Sequence, residues 1–239
     1  MRVLKVEAEG FTTSFRYPFF MAGRQPTFEM PPPATIFGHL CSAVGDWLDP
    51  ASLQFAYWFT HAGKVDDLEH FQATSVAPRS TFSWRGEKVP KNIEATVQPV
   101  RHEFLFQPKL TLYLPHLDLG PAFRSPRYAV TLGRSQDLFS YVRVAEIVLE
   151  EAPRAYLEGT LLPGSMSQIT TAGIAIAMPR YIDYGRNRHV TFGQYVMVQR
   201  RHVFNDPAQS GATYLVDPES SEHDGCRRAV IFHRFVDAE

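Results

Sequence analysis

Apolar and polar positions follow two different periods along the first quarter of the chain. Residues 2–9 alternate as in a half-buried strand, because successive side chains of a strand point to opposite faces. Between residues 35 and 48 the apolar positions recur every three or four residues, which predicts an amphipathic helix with Thr35 as its N-cap. The aromatic-rich residues 52–62 predict a second, shorter helix.

Strand patterns dominate the rest of the chain. Between residues 78 and 108 two extended arms surround a turn at Gly86, which predicts a protruding hairpin. No repeat or low-complexity linker interrupts the chain, so we expect one elaborated domain over residues 1–239. The other predicted strands cover residues 100–106, 110–114, 128–132, 142–149, 190–199 and 229–236, with an arginine-rich loop at residues 181–188.

Three consecutive prolines, at residues 31–33, precede the first predicted helix. Proline fixes its own φ and lacks a backbone donor, so we expect an extended approach and a helix that begins after it. Gly38 would then lie in the first turn, where free N–H groups can bind an anion. For Gly45, further along, tight packing of the helix against a sheet is the expected reason.

Composition is that of a globular protein with a sizeable core. The 239 residues are 44% hydrophobic and 13% aromatic, and no apolar run approaches the length of a membrane span. The alternating start is unlike a signal peptide, so we expect a cytoplasmic protein with no membrane partner. Neither Cys41 and Cys226 nor the histidines have a metal-ligand spacing, and no metal or cofactor is expected.

Charges are segregated although the net charge is only −1. Residues 120–143 hold four arginines and one acid, and residues 180–202 hold five arginines and one acid, whereas acids gather at 46–69, 146–158 and 217–224. This pattern predicts one basic face suited to a polyanion, with ordinary solvated charge as the alternative.

The loop at residues 132–137 (LGRSQD) combines a glycine with charged and hydroxyl side chains. Arg134 and Ser135 can donate to a phosphate or a sugar, and Arg134 can equally form an internal ion pair with Asp137. The loop alone does not rank these two interpretations.

Three segments together carry a resemblance to a known family. After an N-terminal strand come FRYP at residues 15–18, PPPATIFGHL at residues 31–40 and the LGRSQD loop. In this order they resemble the fifth family of CRISPR-associated (Cas) proteins, which belongs to the RAMP superfamily. The resemblance spans most of residues 1–145 and is only generic beyond them.

The resemblance implies an α+β fold and a role in antiviral defence. It implies a ferredoxin-like (RRM-like) RAMP core with a β-hairpin thumb at about residues 76–104 and a smaller β-rich part at about 150–239. Such a protein is a subunit of the ribonucleoprotein interference complex of type I, Cascade. It binds the 5′ handle of the guide RNA (crRNA), contacts the large subunit and the backbone subunits, and meets target DNA indirectly.

RNA contacts are expected on the core and on the thumb. The handle contacts implied by the resemblance are Arg16, Tyr17, Arg24, Thr35, Gly38, Arg134 and Ser135. The basic and aromatic hairpin adds Arg79, Trp84, Arg85, Lys88, Lys91, Arg101 and His102, which suit phosphate contacts and base stacking.

Two other functions are compatible with the sequence. One branch of the family cuts precursor crRNA without metal, and here His102, with Tyr17 or Tyr57, would be the catalytic residues. Arg101 stands where that branch has a lysine, and an arginine is a poor acid or base, so we expect no enzymatic activity. The third hypothesis is a protein scaffold that binds neighbouring subunits and no RNA.

Overall fold

A computed structural model describes residues 1–20, 23–76, 80–90, 93–167, 172–204 and 213–237. The helices are α1 (Pro33–Val44) and α2 (Gly120–Arg124), with single 3-10 turns at Leu117–Leu119 and Gly164–Met166. The first twelve strands are β1 (Arg2–Gly10), β2 (Thr12–Thr13), β3 (Phe15–Arg16), β4 (Arg24–Gln25), β5 (Thr27–Phe28), β6 (Gln54–Thr60), β7 (Gly63–Val76), β8 (Thr81–Trp84), β9 (Glu87–Pro90), β10 (Ile93–Phe106), β11 (Lys109–Leu114) and β12 (Phe139–Val148). The remaining strands are β13 (Glu150–Ala152), β14 (Ala155–Leu157), β15 (Thr160–Pro163), β16 (Ile174–Asp183), β17 (His189–Val198), β18 (His202–Phe204), β19 (Tyr214–Asp217), β20 (Arg227–Ala229) and β21 (His233–Arg234).

The centre of the molecule is a sheet in the order β12-β1-β11-β6-β21, in which all neighbours are antiparallel. Along the chain its first four strands alternate with the helices as β1-α1-β6-β11-α2-β12. The last of these four strands therefore lies beside the first, and the third lies between the first and the second. The chain is a mixed α+β protein in which strands predominate.

Both faces of the central sheet are buried, and β1 shows why its alternation is incomplete. Leu4 and Val6 point to the face covered by α1 and share one core cluster with Ile36 and Leu40. Val3 points to the other face, where it packs with residues of the C-terminal half. A strand buried on both sides loses the simple apolar-polar period.

The first helix starts earlier than predicted. Pro33 occupies its first turn, and the carbonyl of Pro32 accepts hydrogen bonds from the backbone N–H groups of Thr35 (2.9 Å) and Ile36 (3.2 Å). The prediction that Thr35 is the N-cap is therefore wrong: proline lacks the N–H that a first-turn residue leaves unpaired anyway. Gly45 ends the helix as a left-handed C-cap with φ of 87°. A Cβ there would also collide with the Arg127 side chain, so the close packing predicted at Gly45 is present but comes from this side chain and not from a sheet.

A long two-stranded ribbon projects from the core. Strands β7 and β10 pair over fourteen residue positions each, from Gly63 opposite Phe106 to Val76 opposite Ile93, and the β8–β9 hairpin lies at the tip. The ribbon thus begins well before residue 76. Residues 77–79 and 91–92, which include the predicted RNA contacts Arg79 and Lys91, lie outside the described residues.

Three local predictions were wrong. Residues 52–62 contain strand β6 and not a helix, because aromatic side chains suit a sheet that is covered on both faces. Residues 128–132 form no strand beyond one bridge between Thr131 and Leu138. The predicted last strand at residues 229–236 is divided between β20 and β21, which belong to different sheets.

From Glu150 onward the described chain builds two further sheets. One has the order β13-β19-β20-β14-β18 and the other the order β15-β17-β16, and β21 returns to the edge of the central sheet. The hairpin of β16 and β17 packs beside α1, where the rings of Tyr181 and Phe37 meet edge to face at 5.2 Å. Among the described residues, no helix is both long and apolar enough to pass through a bilayer.

Candidate functional site

Two adjoining cavities lie between the start of α1 and the loop at residues 131–137. The polar cavity has a volume of about 430 Å³ and the apolar cavity about 400 Å³, and the two share four wall residues: Phe15, Arg16, Thr35 and Gly133. Segments far apart in sequence therefore form one continuous cleft. Its volume is in the range of pockets that take small ligands or single nucleotides.

A chain of hydrogen bonds lines the polar cavity. Ser14 Oγ lies 3.0 Å from His102 Nε2, and His102 Nδ1 donates to Glu69 Oε2 at 2.8 Å. The other oxygen of Glu69 accepts from Arg134 Nη1 at 2.6 Å. The ribbon, the β2–β3 segment and the LGRSQD loop are thereby connected at one place.

Asp137 holds the LGRSQD loop in place through hydrogen bonds to Arg134 and Ser14. Its buried carboxylate accepts hydrogen bonds from the side chain of Arg134, at 3.0 Å for both Nε and Nη2, from the backbone N–H of Arg134 and from that of Ser14. Burial acts to lower the pKa of Arg134, but the hydrogen bonds to Asp137 raise it above its ordinary value. Of the two interpretations of the loop, the internal ion pair with Asp137 is present. Together with the hydrogen bond to Glu69 it leaves two of the five guanidinium N–H donors of Arg134 unused by the described residues.

Gly133 allows the loop to approach the core. Its φ is 96°, and a Cβ at this position would lie 2.6 Å from the backbone oxygen of Ser14 and 2.6 Å from Thr13 Oγ1. A tight backbone approach therefore explains this glycine.

The apolar cavity has small residues on one wall and a hairpin on the other. Gly38 and Ser42 face it from α1, and Pro179, Ile182 and Val190 face it from β16 and β17. No heavy atom lies within 4 Å of a Cβ built on Gly38, so this glycine borders open space. Because α1 begins at Pro33, Gly38 lies in the second turn, and the prediction that it lies in the first turn, with a free N–H group for an anion, is wrong.

His39 supports this wall from behind. Its Nδ1 donates to the Thr131 carbonyl oxygen at 2.8 Å and its Nε2 accepts from the Tyr141 hydroxyl at 2.9 Å. Burial lowers the pKa of His39, which matches this neutral tautomer. The histidine thus holds the loop against α1.

Arg16 is the cation that faces both cavities without an acidic partner. Its side chain is exposed, and it forms no ion pair with any described residue. In the polar cavity, by contrast, the carboxylates of Glu69 and Asp137 already neutralise Arg134. Arg16 is therefore the point in the cleft where an incoming anion meets uncompensated positive charge.

Other predicted contacts lie outside the cleft. Tyr17 stacks on Phe28 with ring centroids 3.7 Å apart and lines neither cavity. Arg24 pairs with Glu103 at 2.6 Å, and Arg101 is exposed on β10 next to the buried His102. Trp84, Arg85 and Lys88 are at the tip of the ribbon.

The chain matches no protein-family model and no curated protein sequence. Among solved structures, a chain of a CRISPR RNA-guided surveillance complex has a TM-score of 0.50 at 16% identity, over 84% of this chain and 90% of that one. A CRISPR protein from Archaeoglobus fulgidus has a TM-score of 0.47 at 10% identity, over 98% of this chain and 100% of its own. This chain shares its fold with the surveillance-complex chain.

Sequence reasoning missed three contributors to the cleft. Glu69 was counted only as part of an acidic cluster, and Ser14 and the β16–β17 hairpin were not considered. Glu69 reaches the cleft through the register of β7 on β10, where it lies opposite Val100 and diagonal to His102. No local pattern in the sequence predicts such a register.

The residues of the nuclease hypothesis are not gathered at one point. Both ring nitrogens of His102 are engaged, and the ring is buried. Tyr57 is buried too, donates to the Pro31 carbonyl oxygen at 3.0 Å, and has a pKa raised by burial. Among the described residues, no group of His, Cys, Asp and Glu is arranged to hold a metal ion.

Proposed function

We propose that this chain is the guide-RNA 5′-handle subunit of a type I CRISPR interference complex, from the fifth Cas family. The observation that carries the proposal is the cleft itself. It joins the start of α1 to the LGRSQD loop, two segments that hold handle contacts implied by the resemblance, and Arg16, which forms no ion pair with the described residues, lines both of its cavities. The subunit binds RNA and does not cut it.

The architecture supports a ferredoxin-like core. The connectivity β1-α1-β6-β11-α2-β12 and the position of the last of these strands beside the first are those of the ferredoxin-like arrangement. The fold shared with a chain of an RNA-guided surveillance complex agrees with this assignment. We assign the β7–β10 ribbon, with its tip hairpin, as the thumb.

The two cavities suit the two chemistries of a single RNA strand. Arg16 binds a backbone phosphate, and the apolar cavity takes an unstacked base against Pro179, Ile182 and Val190. Thr35 and Ser135 line the cleft, and their hydroxyl groups can pair with the 2′-hydroxyl or with base edges. A duplex would not present its bases to such a cleft.

The ribbon and its tip are the surfaces that we assign to contacts with the other parts of the complex. Leu68, Val97 and Trp84 are exposed by 57%, 58% and 61%, more apolar surface than a solvated hairpin needs. We assign these exposed apolar side chains to two contacts: the boundary between the handle and the spacer of the guide RNA, and the neighbouring backbone and large subunits. We place the complex in the cytoplasm. Arg85 and Lys88 add phosphate contacts there.

The test is binding of a fluorescent handle RNA by the Arg16→Ala variant in a titration over several salt concentrations. A lost charge-assisted phosphate contact should weaken binding about tenfold and reduce the salt slope by about 0.7. Arg2→Ala is the matched control, because Arg2 is at the start of β1, lines neither cavity and pairs with Glu146. Equal affinity and slope in the two variants would contradict the proposal.

A nuclease assay separates the alternatives. Because both nitrogens of His102 are engaged, repeat RNA incubated with the chain in EDTA should remain intact. Cleavage that disappears in His102→Ala would establish the enzymatic hypothesis instead. A complex that assembles while this chain makes no contact with RNA would establish the scaffold hypothesis.

A further inference from the structure

Glu69 occupies an unusual position for an acidic side chain in an RNA-binding cleft. One carboxylate oxygen accepts from Arg134 Nη1 at 2.6 Å and the other accepts from His102 Nδ1 at 2.8 Å. Two adjacent oxygens of a phosphate group can accept from the same two donors, since guanidinium groups bind carboxylate and phosphate in the same geometry. We propose that Glu69 masks a second phosphate site, formed by Arg134 and His102, which an RNA phosphate takes when the Glu69 side chain swings out.

The two carboxylates of the polar cavity differ in how firmly they are held. Asp137 has a fully buried side chain and accepts from two backbone N–H groups as well as from Arg134, so it belongs to the folded loop. The Glu69 side chain is 27% exposed and makes only its two contacts to Arg134 and His102 among the described residues. Glu69 is therefore the exchangeable partner.

Movement of Glu69 requires no change in the backbone. The backbone of Glu69 lies opposite Val100 in the pairing of β7 with β10. A change of side-chain rotamer carries the carboxylate toward solvent while this strand pairing stays intact. Arg134 remains anchored by Asp137, and His102 remains anchored by Ser14. The two donors then stay in place to receive the phosphate.

This inference rests on the proposed function and adds a consequence for affinity. An internal carboxylate that competes with RNA lowers the apparent affinity, because each binding event must first displace it. Because Glu69 must be displaced, the cleft also favours a ligand whose phosphate reaches Arg134 and His102 over a polyanion that contacts only Arg16. Glu69 is thus a specificity-determining residue of the cleft.

The experiment compares Glu69→Gln with the parent chain in binding of an eight-nucleotide single-stranded RNA over a salt series. We expect about tenfold tighter binding at every salt concentration, because the variant binds RNA without first displacing a carboxylate from Arg134 and His102. The salt slope should stay the same, because the same phosphate is contacted in both proteins. Glu69→Ala should behave in the same way, and thermal melting of both variants checks that each is folded.

Asp67→Asn is the matched control. It removes the same charge from the same strand, and Asp67 accepts only from its own neighbour Leu68 among the described residues. Unchanged affinity in both Glu69 variants, or an equal gain in Asp67→Asn, would overturn the inference. The proposed function would survive that result provided Arg16→Ala still weakens binding, whereas a parent chain and a Glu69→Gln variant that both fail to bind RNA would overturn the two together.

Discussion

At the scale of single residues, two glycines of the cleft have opposite roles. Gly133 is required by the backbone, because a side chain there would meet Ser14 and Thr13 at 2.6 Å. Gly38 is not required by packing, because the space beside it is open. Gly133 thus allows the loop to approach the core, and Gly38 leaves room in the apolar cavity.

Gly133→Ala should destabilise the fold. The added Cβ combines a close contact with a φ of 96°, and we expect a loss of about 1–3 kcal/mol in the free energy of unfolding, measured by urea denaturation. Gly86→Ala provides the control, since its φ is also positive at 87° but no atom lies within 4 Å. A Gly133→Ala variant no less stable than Gly86→Ala would contradict the account of the loop.

Gly38→Leu should separate folding from binding. A leucine in the second turn of α1 gains helix propensity of up to about 1 kcal/mol, while its side chain fills the apolar cavity that we assign to a base. Urea denaturation should show unchanged or higher stability, and handle RNA should no longer be retained. Gly38→Ala, with the same helix gain and little added volume, should retain RNA. An unfolded Gly38→Leu protein would show that the glycine is needed for packing.

At the scale of elements, a buried charged cluster connects the central sheet to the sheet that contains β19 and β20. Lys5 on β1 donates to Asp217 on β19 at 2.8 Å, and the Tyr113 hydroxyl of β11 donates to the same oxygen at 2.6 Å. Burial acts to raise the pKa of Asp217, but the hydrogen bonds from Lys5 and Tyr113 outweigh it and hold the pKa below the ordinary value. Arg228 adds a third donor at 3.3 Å.

Asp217→Ala should therefore be severely destabilising. It leaves the buried Arg228 without a carboxylate partner among the described residues, while Lys5 keeps Glu219 at 3.0 Å, and such a break costs about 3–5 kcal/mol in the free energy of unfolding. Chemical denaturation of the full chain measures the effect. The exposed ion pair of Lys109 and Glu9 is the comparison, and Glu9→Ala should cost less than about 1 kcal/mol.

The sequence predicted elements whose signals are local. Residues 2–9 and 190–199 were correctly placed in strands, and the helix after the prolines was found with an error of a few residues, because hydrophobic period and proline chemistry act over short distances. Strand β6 was misassigned, since burial on both faces removes its period. Of the cleft, the sequence predicts only single contacts on remote segments, such as Thr35 and Arg134, and it does so through the resemblance. The contact of Glu69 depends on a ribbon register that only the folded chain defines.

At the scale of the whole molecule, charge segregation does not produce one basic cleft. Arg134 is compensated by Glu69 and Asp137, and Arg180 of the C-terminal arginine cluster pairs with Asp237. The proposed affinity for RNA therefore rests on a few placed groups and on apolar surface, and less on the overall electrostatic field. The exposed apolar side chains of the ribbon are consistent with the proposed place of the chain in a larger complex.

The most direct test of the central claim is photo-crosslinking of the assembled interference complex with guide RNA that carries 4-thiouridine in its 5′ handle. Mass spectrometry then identifies the crosslinked residues of this chain. We predict crosslinks at residues 14–18, 34–42 and 133–136, the walls of the two cavities. Handle crosslinks that fall only on other surfaces, such as the exposed side of β10 at Arg101, or on other subunits alone, would contradict the account.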